Sequence, residues 1–467
     1  MLEHKMGSMN MKKLILSMSV PIMISMLIQA LYNIVDSMFV AKVSQDALAA
    51  VSLCFPIQTM IIAVSCGTGV GLNAVLSRRL GQKRQQEAEA VALHGIFLAA
   101  CSWIVFAFFG FFCARIFLSM FTEDTGVLDM GVAYIKICTV FSFGVFIQIA
   151  YERIMQATGN PVYNMLIQGV GAIVNIVLDP IFIFGAGGIP AMGVRGAAIA
   201  TVIGQITAMI LGIILTRHKV KDISMNIRDF QFSAAIVKDI YRIGIPAILM
   251  QSIMSFMTVF MNLILASFST LAVSVFGIYY KLQQFVYMAV NGMNNALIPI
   301  LSYNYGAGNY QRIKEGIQFS LLLCTFLMLA GTLVFQILPV QLLYLFQADA
   351  KMLSIGIPAM RIISLSFLAG GICLVVCSIC QALDRGRFSL LVTLIRQLLL
   401  LVPLCFFMAY AFGLNVCWWS FPITELLCAS VSIWYISKTC HALPRGNDIP
   451  KEHNKPKGHE IPEEHNI

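Results

Sequence analysis

Long apolar stretches separated by short polar breaks recur along almost the whole chain. A helix needs roughly 20 mostly apolar residues to cross a lipid bilayer. Runs such as residues 90–112 lack the alternation of a barrel strand, so the pattern predicts membrane-spanning helices. The twelve predicted spans cover residues 14–40, 49–77, 90–119, 131–156, 161–184, 196–216, 243–266, 273–301, 316–339, 353–382, 388–412 and 416–437.

The composition agrees with a membrane protein of the all-α polytopic class. Hydrophobic residues make up 59% of the 467 residues and charged residues only 11%, too few to cover the surface of a soluble chain of this length. The net charge of +9 comes from Lys and Arg in alternate loops, so it does not indicate nucleic-acid binding. By the positive-inside rule both termini are expected in the cytoplasm, and the first span is expected to be retained as a signal-anchor.

The chain contains an internal repeat at a constant offset. Pro21 and Pro246 lie 225 residues apart, and Ser77 and Ser302 show the same spacing. Further pairs at this offset are Gly81 with Gly306, Phe121 with Phe346, and Gln156 with Gln381. A constant offset predicts a duplicated six-helix unit, and an even number of spans per unit predicts two pseudo-symmetric lobes in the same orientation, with a substrate path between them.

This repeat and the loop composition predict the domain limits. The segment between the lobes is basic and partly amphipathic, which predicts a cytoplasmic surface helix, and the polar end of the chain is expected to be disordered. The predicted regions are a cytoplasmic N-terminus (1–13), a first lobe (14–216), a linker (217–242), a second lobe (243–437) and a tail (438–467).

Span one carries a polar stripe that includes a carboxylate. An ionisable residue in mid-span costs about 2.5–3.5 kcal/mol on insertion scales, so its presence there indicates a structural or functional role. Gln29, Tyr32, Asn33 and Asp36 are spaced to share one helical face. Such a stripe must face a cavity or a partner helix.

Span five carries a second carboxylate, Asp179, one helical turn after Asn175. The following Pro180 frees a backbone carbonyl, and Thr201 in span six could add a hydroxyl. These are hard oxygen ligands that suit Na⁺. Two neighbouring carboxylates repel each other strongly in a medium of low dielectric constant, so one of them tends to bind a proton or another cation. Asp36 and Asp179 therefore predict a site for a proton or Na⁺. The alternative is that each Asp satisfies a neighbouring backbone group or Arg.

The second half is not equivalent to the first. Met261 stands at the position that corresponds to Asp36. Charged residues within the spans of this half include Lys281, Arg396 and Glu425. Lys281 and Glu425 either pair with each other or line the cavity, and Arg396 is a further candidate partner.

Several motifs resemble the multidrug and toxic compound extrusion (MATE) transporters over residues 13–438. They are Tyr32-Asn33-Ile-Val-Asp36, Gly81-Gln-Lys, Gln156-Ala-Thr-Gly159-Asn160-Pro161 and Tyr303-Asn304-Tyr305-Gly306-Ala307-Gly308-Asn309. The resemblance implies a bacterial plasma-membrane antiporter, not an enzyme, that exports small, often cationic organic compounds against an inward H⁺ or Na⁺ gradient. It implies no cofactor other than this coupling ion. A lipid-linked oligosaccharide flippase of the same superfamily is the alternative, but the extra spans and cavity Arg residues that it would favour do not occur in the sequence.

The resemblance also implies the site residues. In the family branch with a cation site in the first lobe, the residues that match Asp36, Asn175, Asp179 and Thr201 bind the coupling ion, which includes Na⁺ as a candidate metal. The branch with a second-lobe site has acids in spans seven and ten, where this chain has Gln251 and Cys377-Ser378. The candidate substrate cavity consists of Gln29, Tyr32, Asn33, Gln251, Lys281 and Glu425. The expected partners are drug-like small molecules and the lipid bilayer, and the expected state is a monomer.

Overall fold

The computed structural model describes residues 5–185, 188–220, 223, 225–346 and 348–442. Within these residues the regular structure is entirely helical and contains no strand. The predicted all-α class is therefore confirmed.

The long helices follow the predicted spans in order and are numbered as spans one to twelve. Three of them are interrupted, because spans four and ten each consist of two helices and span eleven contains a π-helical turn at Ile395–Leu400. The first six are Met11–Ala41, Gln45–Gly81, Gln85–Phe112, Thr125–Val140 with Phe143–Ala157, Pro161–Phe184 and Val194–Lys219. The second six are Ala234–Ala266, Thr270–Gly306, Tyr310–Ile337, Ala350–Ser364 with Phe367–Ala382, Gly386–Phe412, and Ser420–Ala442 after the short helix Leu414–Cys417.

The lengths and hydropathy of these helices support twelve crossings. In the described part of the chain, nine helices are long and apolar enough to span a bilayer, and the pairs bent by 42° and 47° in spans four and ten raise this number to eleven. The remaining span is Thr270–Gly306, which has 37 residues but is more polar than the others. Its length exceeds the roughly 20 residues that a crossing needs.

The two lobes repeat one another down to single hydrogen bonds. Ser77 Oγ donates to the carbonyl oxygen of Ala157 (3.4 Å), and Ser302 Oγ donates to that of Ala382 (3.0 Å). Each residue of the second bond lies 225 positions after its counterpart in the first. The left-handed turn residues repeat as well, with Lys83 matched by Gly308 and Gly159 by Asp384. The predicted duplication into two pseudo-symmetric lobes is confirmed.

Spans two and eight cross at the contact between the lobes, and glycine is required there. A Cβ atom on Gly81 would overlap the carbonyl oxygen of Tyr303, and one on Gly306 would overlap that of Arg78. Only a residue without a side chain allows two helix backbones to approach this closely. Beside the crossing, Arg78 pairs with Asp384 of the second lobe at 3.2 Å. The lobes are therefore in direct contact at this end of the molecule.

The linker is not a separate surface helix, so that prediction is wrong. Its two ends continue spans six and seven, and between Lys219 and Ala234 the described residues contain only the short 3₁₀ turn Ile227–Asp229. The end of the linker instead packs onto span three. His94 is fully buried, its Nε2 accepts a hydrogen bond from the Ser233 backbone N–H (2.8 Å), and its Nδ1 lies 2.7 Å from the Ala90 carbonyl oxygen. His94 thus holds the start of span seven, and of the second lobe, against the first lobe.

We expect His94→Phe to loosen this linker. Phenylalanine keeps the ring volume but leaves the Ser233 N–H without an acceptor, which costs about 1–3 kcal/mol. The measurements are the melting temperature of the purified protein and the rate of limited proteolysis between spans six and seven. His218→Ala, at an exposed position in the predicted linker, is the control. Equal proteolysis rates in both variants would show that His94 does not anchor the segment.

The predicted terminal boundaries also shift. Span one begins at Met11, and the short helix Lys5–Ser8 precedes it. Span twelve runs to Ala442, beyond the predicted start of the tail at residue 438. Residues 443–467, for which disorder is predicted, lie outside the described residues.

Candidate cation site in the first lobe

Three of the predicted site residues form a hydrogen-bonded cluster between spans five and six. Asn175 Nδ2 donates to Asp179 Oδ1 (3.3 Å) and to Thr201 Oγ1 (3.4 Å). Asn175 and Asp179 are buried, with exposed fractions of 2% and 0%. The two helices approach so closely at Gly171 and Gly204 that a Cβ atom on Gly204 would lie only 2.8 Å from the Gly171 carbonyl oxygen. Two glycines therefore bring Thr201 within reach of Asn175.

Asp36 joins this cluster from span one, which packs against span five. Asp36 and Asp179 lie near the same end of these two packed helices. Tyr32, one turn before Asp36 on span one, lines a cavity together with Asn175 and Thr201. The structure thus brings together the two acids that the sequence places more than a hundred residues apart.

Several oxygen atoms of the cluster have no hydrogen-bond donor. Asp36 Oδ1, Asn175 Oδ1 and Asp179 Oδ2 are buried acceptors without a partner in the described chain. A buried acceptor without a donor costs about 1–3 kcal/mol. Carboxylate and amide oxygens are hard ligands that suit Na⁺, and a carboxylate can also take up a proton. The residues present therefore fit a small monovalent cation.

A cavity of about 50 Å³ lies beside the cluster, between spans one, four, five and six. Gln29, Tyr32, Asn175 and Thr201, all predicted site residues, line it. Such a volume holds a few water molecules or a small ion but not a whole drug molecule. The predicted cavity residue Asn33 is exposed and is not among the lining residues.

A buried polar group on span four is absent from the predicted set. Glu152 is 6% exposed, and its two carboxylate oxygens accept hydrogen bonds from Gln148 Nε2 (2.9 Å) and Gln168 Nε2 (3.1 Å). The next residue, Arg153, is also buried. The sequence gives a weak signal here, because an adjacent acid and base near the end of a span resemble ordinary boundary charges. Gln148, one helical turn before Glu152, is the feature that could have identified it.

The charged residues of the second lobe follow a different arrangement. Glu425 is buried against Arg396, with 3.2 Å between Oε2 and Nη1. Its partner is therefore Arg396 and not Lys281. Glu425 does not line the described cavity. Lys281 and Gln251 are exposed and do not line it either. Of the six candidate cavity residues, Gln29 and Tyr32 line this cavity.

The family model MatE matches the chain twice, at residues 21–181 and 246–407. The two matches start 225 residues apart and together cover more than half of the chain. The protein belongs to the MATE family. Family membership confirms that this MATE protein is a multi-pass membrane transporter and not an enzyme.

Curated relatives and solved structures agree with this assignment. The MATE chain is 26% identical to the multidrug export protein MepA of Staphylococcus haemolyticus over 427 residues, which cover 91% of this chain and 93% of the relative. It is 25% identical to MepA of Staphylococcus aureus, with 89% and 91% covered. A multidrug resistance MATE transporter in an outward-facing conformation superposes with a TM-score of 0.88 at 26% identity and covers 95% of this chain and 99% of its own. A MOP superfamily transporter from Pyrococcus furiosus, for which reversed polarity of the binding pocket suggests a different function, superposes equally well at 25% identity.

Proposed function

We propose that this MATE protein exports small, often cationic organic compounds in exchange for H⁺ or Na⁺. The observation that carries the proposal is the group of orphaned acceptor oxygens on Asp36, Asn175 and Asp179. A buried cluster of this kind is stabilised when a cation binds and destabilised when the cation leaves, which is what a coupling site requires. The curated relatives in Staphylococcus are named multidrug export proteins, which supports drugs as the exported class.

The exchange follows from the charge of the cluster. When a cation binds, it neutralises the carboxylates of Asp36 and Asp179, and an organic cation nearby loses its electrostatic partner. When the cation is released, the negative charge returns and a new substrate binds. Such a coupling is typically worth about 1–3 kcal/mol, and it must act equally in both directions. Tyr32 lines the cavity next to the cluster and offers an aromatic face to an organic cation.

We further infer the orientation in a bacterial plasma membrane. The last turn of span two and the loop that follows carry Arg78, Arg79, Lys83 and Arg84, which places this end of the span in the cytoplasm by the positive-inside rule. Both termini then lie in the cytoplasm as well. The protein works as a monomer, because the cation cluster and its cavity lie within one lobe of one chain.

Transport in everted membrane vesicles tests this function. In such vesicles the outer face of the transporter lines the lumen, so export appears as uptake. We expect ethidium uptake when the lumen is loaded either with Na⁺ or with acid, and the gradient that drives uptake identifies the coupling ion. The measurement is ethidium fluorescence under each gradient imposed separately.

Ionophores and control vesicles complete this experiment. Collapse of the effective gradient by monensin or nigericin should stop uptake, and vesicles that lack the protein should show none. If vesicles that contain the protein take up ethidium equally fast with and without the imposed gradients, cation-coupled antiport is contradicted.

A further inference from the structure

A second buried carboxylate site, formed by Glu152, lies in the first lobe apart from Asp36 and Asp179. In the described residues no ion pair to Glu152 forms. Its neighbour Arg153 directs Nη1 to Gln156 and Asn295 instead, at 3.0 Å each. In the described residues, the hydrogen bonds to Glu152 therefore come from two amide donors, those of Gln148 and Gln168. A buried carboxylate without a direct ion-pair contact is costly to keep charged, so this arrangement favours uptake of a positive charge.

The two glutamines that hold Glu152 also line the cavity that reaches the Asn175 cluster. Gln148, Gln168, Asn175 and Thr201 all face the same space of about 50 Å³. On span five, Gln168 and Asn175 are seven residues apart, or roughly 10 Å along the helix. Asn175 is 2% exposed and its Oδ1 has no partner. The cavity therefore connects the two amides that hold Glu152 with the Asn175 cluster.

The geometry at Glu152 suits either coupling ion. Its two oxygens offer about four lone-pair sites, and the amides occupy two of them. A sodium ion can use the remaining pairs together with amide oxygens. If a proton binds instead, one glutamine amide turns its oxygen toward the new O–H group. The other ionisable groups that act on this carboxylate are Arg153 on span four and Cys66 on span two.

We propose that Glu152, with Gln148 and Gln168, forms a second binding position for a small monovalent cation, H⁺ or Na⁺, at the other end of the cavity from Asp36 and Asp179. The proposal rests on the proposed function, in which that cation drives export. With the cytoplasmic termini inferred above, Glu152 near the end of span four lies on the cytoplasmic side of the cluster. It is then the position that the cation occupies on its way into the cell.

Cation binding to purified protein tests this position without drug or gradient. The starting variant is Asp36→Asn with Asp179→Asn, which removes the other two carboxylates. We expect it to retain binding of radioactive sodium, or to show the infrared C=O band of a protonated carboxylic acid on acidification. Adding Glu152→Gln should lower sodium affinity about tenfold or more, as for the loss of one charged ligand, or remove the infrared band. Adding Glu152→Asp, which keeps the charge, should preserve the signal.

Two results overturn the proposal. One is the absence of both signals in the Asp36→Asn, Asp179→Asn variant, and the other is a signal that persists unchanged after Glu152→Gln is added. If the triple variant does not purify as a monodisperse protein, Gln168→Leu in the same background takes its place and should also weaken binding. The proposed export function is decided separately by the vesicle experiment, so the failure of one leaves the other intact.

Discussion

Asp36→Asn is expected to abolish coupled export while the protein still folds and reaches the membrane. Asparagine has nearly the same shape, so the packing of span one against span five is kept, but the charge that holds the coupling cation is lost. The loss of one charged interaction costs about 1.5–3 kcal/mol, which lowers cation affinity by roughly tenfold to a hundredfold. The measurement is the initial rate of ethidium efflux from cells that contain equal amounts of each variant.

Ser37→Ala is the matched control for this prediction. Ser37 is exposed on the same helix, and its hydroxyl donates only to the carbonyl oxygen of Asn33 one turn earlier (2.8 Å). Efflux should match the wild type in this variant. If Asp36 and Asp179 hold one cation, adding Asp179→Asn to Asp36→Asn should cause no further loss, because residues that act as a unit are not additive. Wild-type efflux in Asp36→Asn would remove Asp36 from the coupling site.

Glu425→Gln is expected to destabilise the second lobe strongly. Arg396 and Glu425 are 3% and 8% exposed, and they pair at 3.2 Å between the π-helical turn of span eleven and span twelve. Removing one partner leaves a buried charge without compensation, which costs about 3–5 kcal/mol. Replacing both by apolar residues, as in Arg396→Met with Glu425→Leu, should recover much of this loss. The measurement is thermal unfolding of the purified proteins in detergent.

An exposed ion pair of the same chain provides the comparison. Arg115 and Asp129 pair at 3.0 Å, but both side chains are 63% exposed. Asp129→Asn should therefore change stability by less than about 1 kcal/mol. If Glu425→Gln lowers the melting temperature no more than Asp129→Asn does, the buried pair does not stabilise the lobe, and a role in transport becomes the better explanation for its charges.

The fold was predictable because lipid restricts the possible structures so strongly. A run of about 20 apolar residues has few alternatives to a helix, and the 225-residue offset from Pro21 to Pro246 set the two lobes in register. The linker was not predictable in the same way. Its path depends on where His94 offers an acceptor to Ser233, a contact between residues 139 positions apart. Amphipathicity of a short segment carries no information about such a contact.

The candidate site was partly predictable for a related reason. Asp36 and Asp179 stand out because each is an acid within a long apolar run. Glu152 does not stand out, because it lies beside Arg153 and near the end of its span. The partner of Glu425 depended on helix rotation, and the π-helical turn at Ile395–Leu400 changes the direction in which Arg396 points. A prediction that assumes about 3.6 residues per turn throughout span eleven therefore misses this change in direction.

The crossing at Gly81 and Gly306 has a kinetic consequence for a transporter whose two lobes move apart. Backbone meets backbone there, so no interlocking side chains have to change rotamer before the helices separate. The helical hydrogen bonds on both sides are complete within each helix, and parting leaves none of them broken. At the crossing itself, separation has to part the ion pair of Arg78 with Asp384. Apolar side chains of span one, such as Met18 and Ile22, are buried against the second lobe, so the movement must expose them as well and the glycine crossing is not its main obstacle.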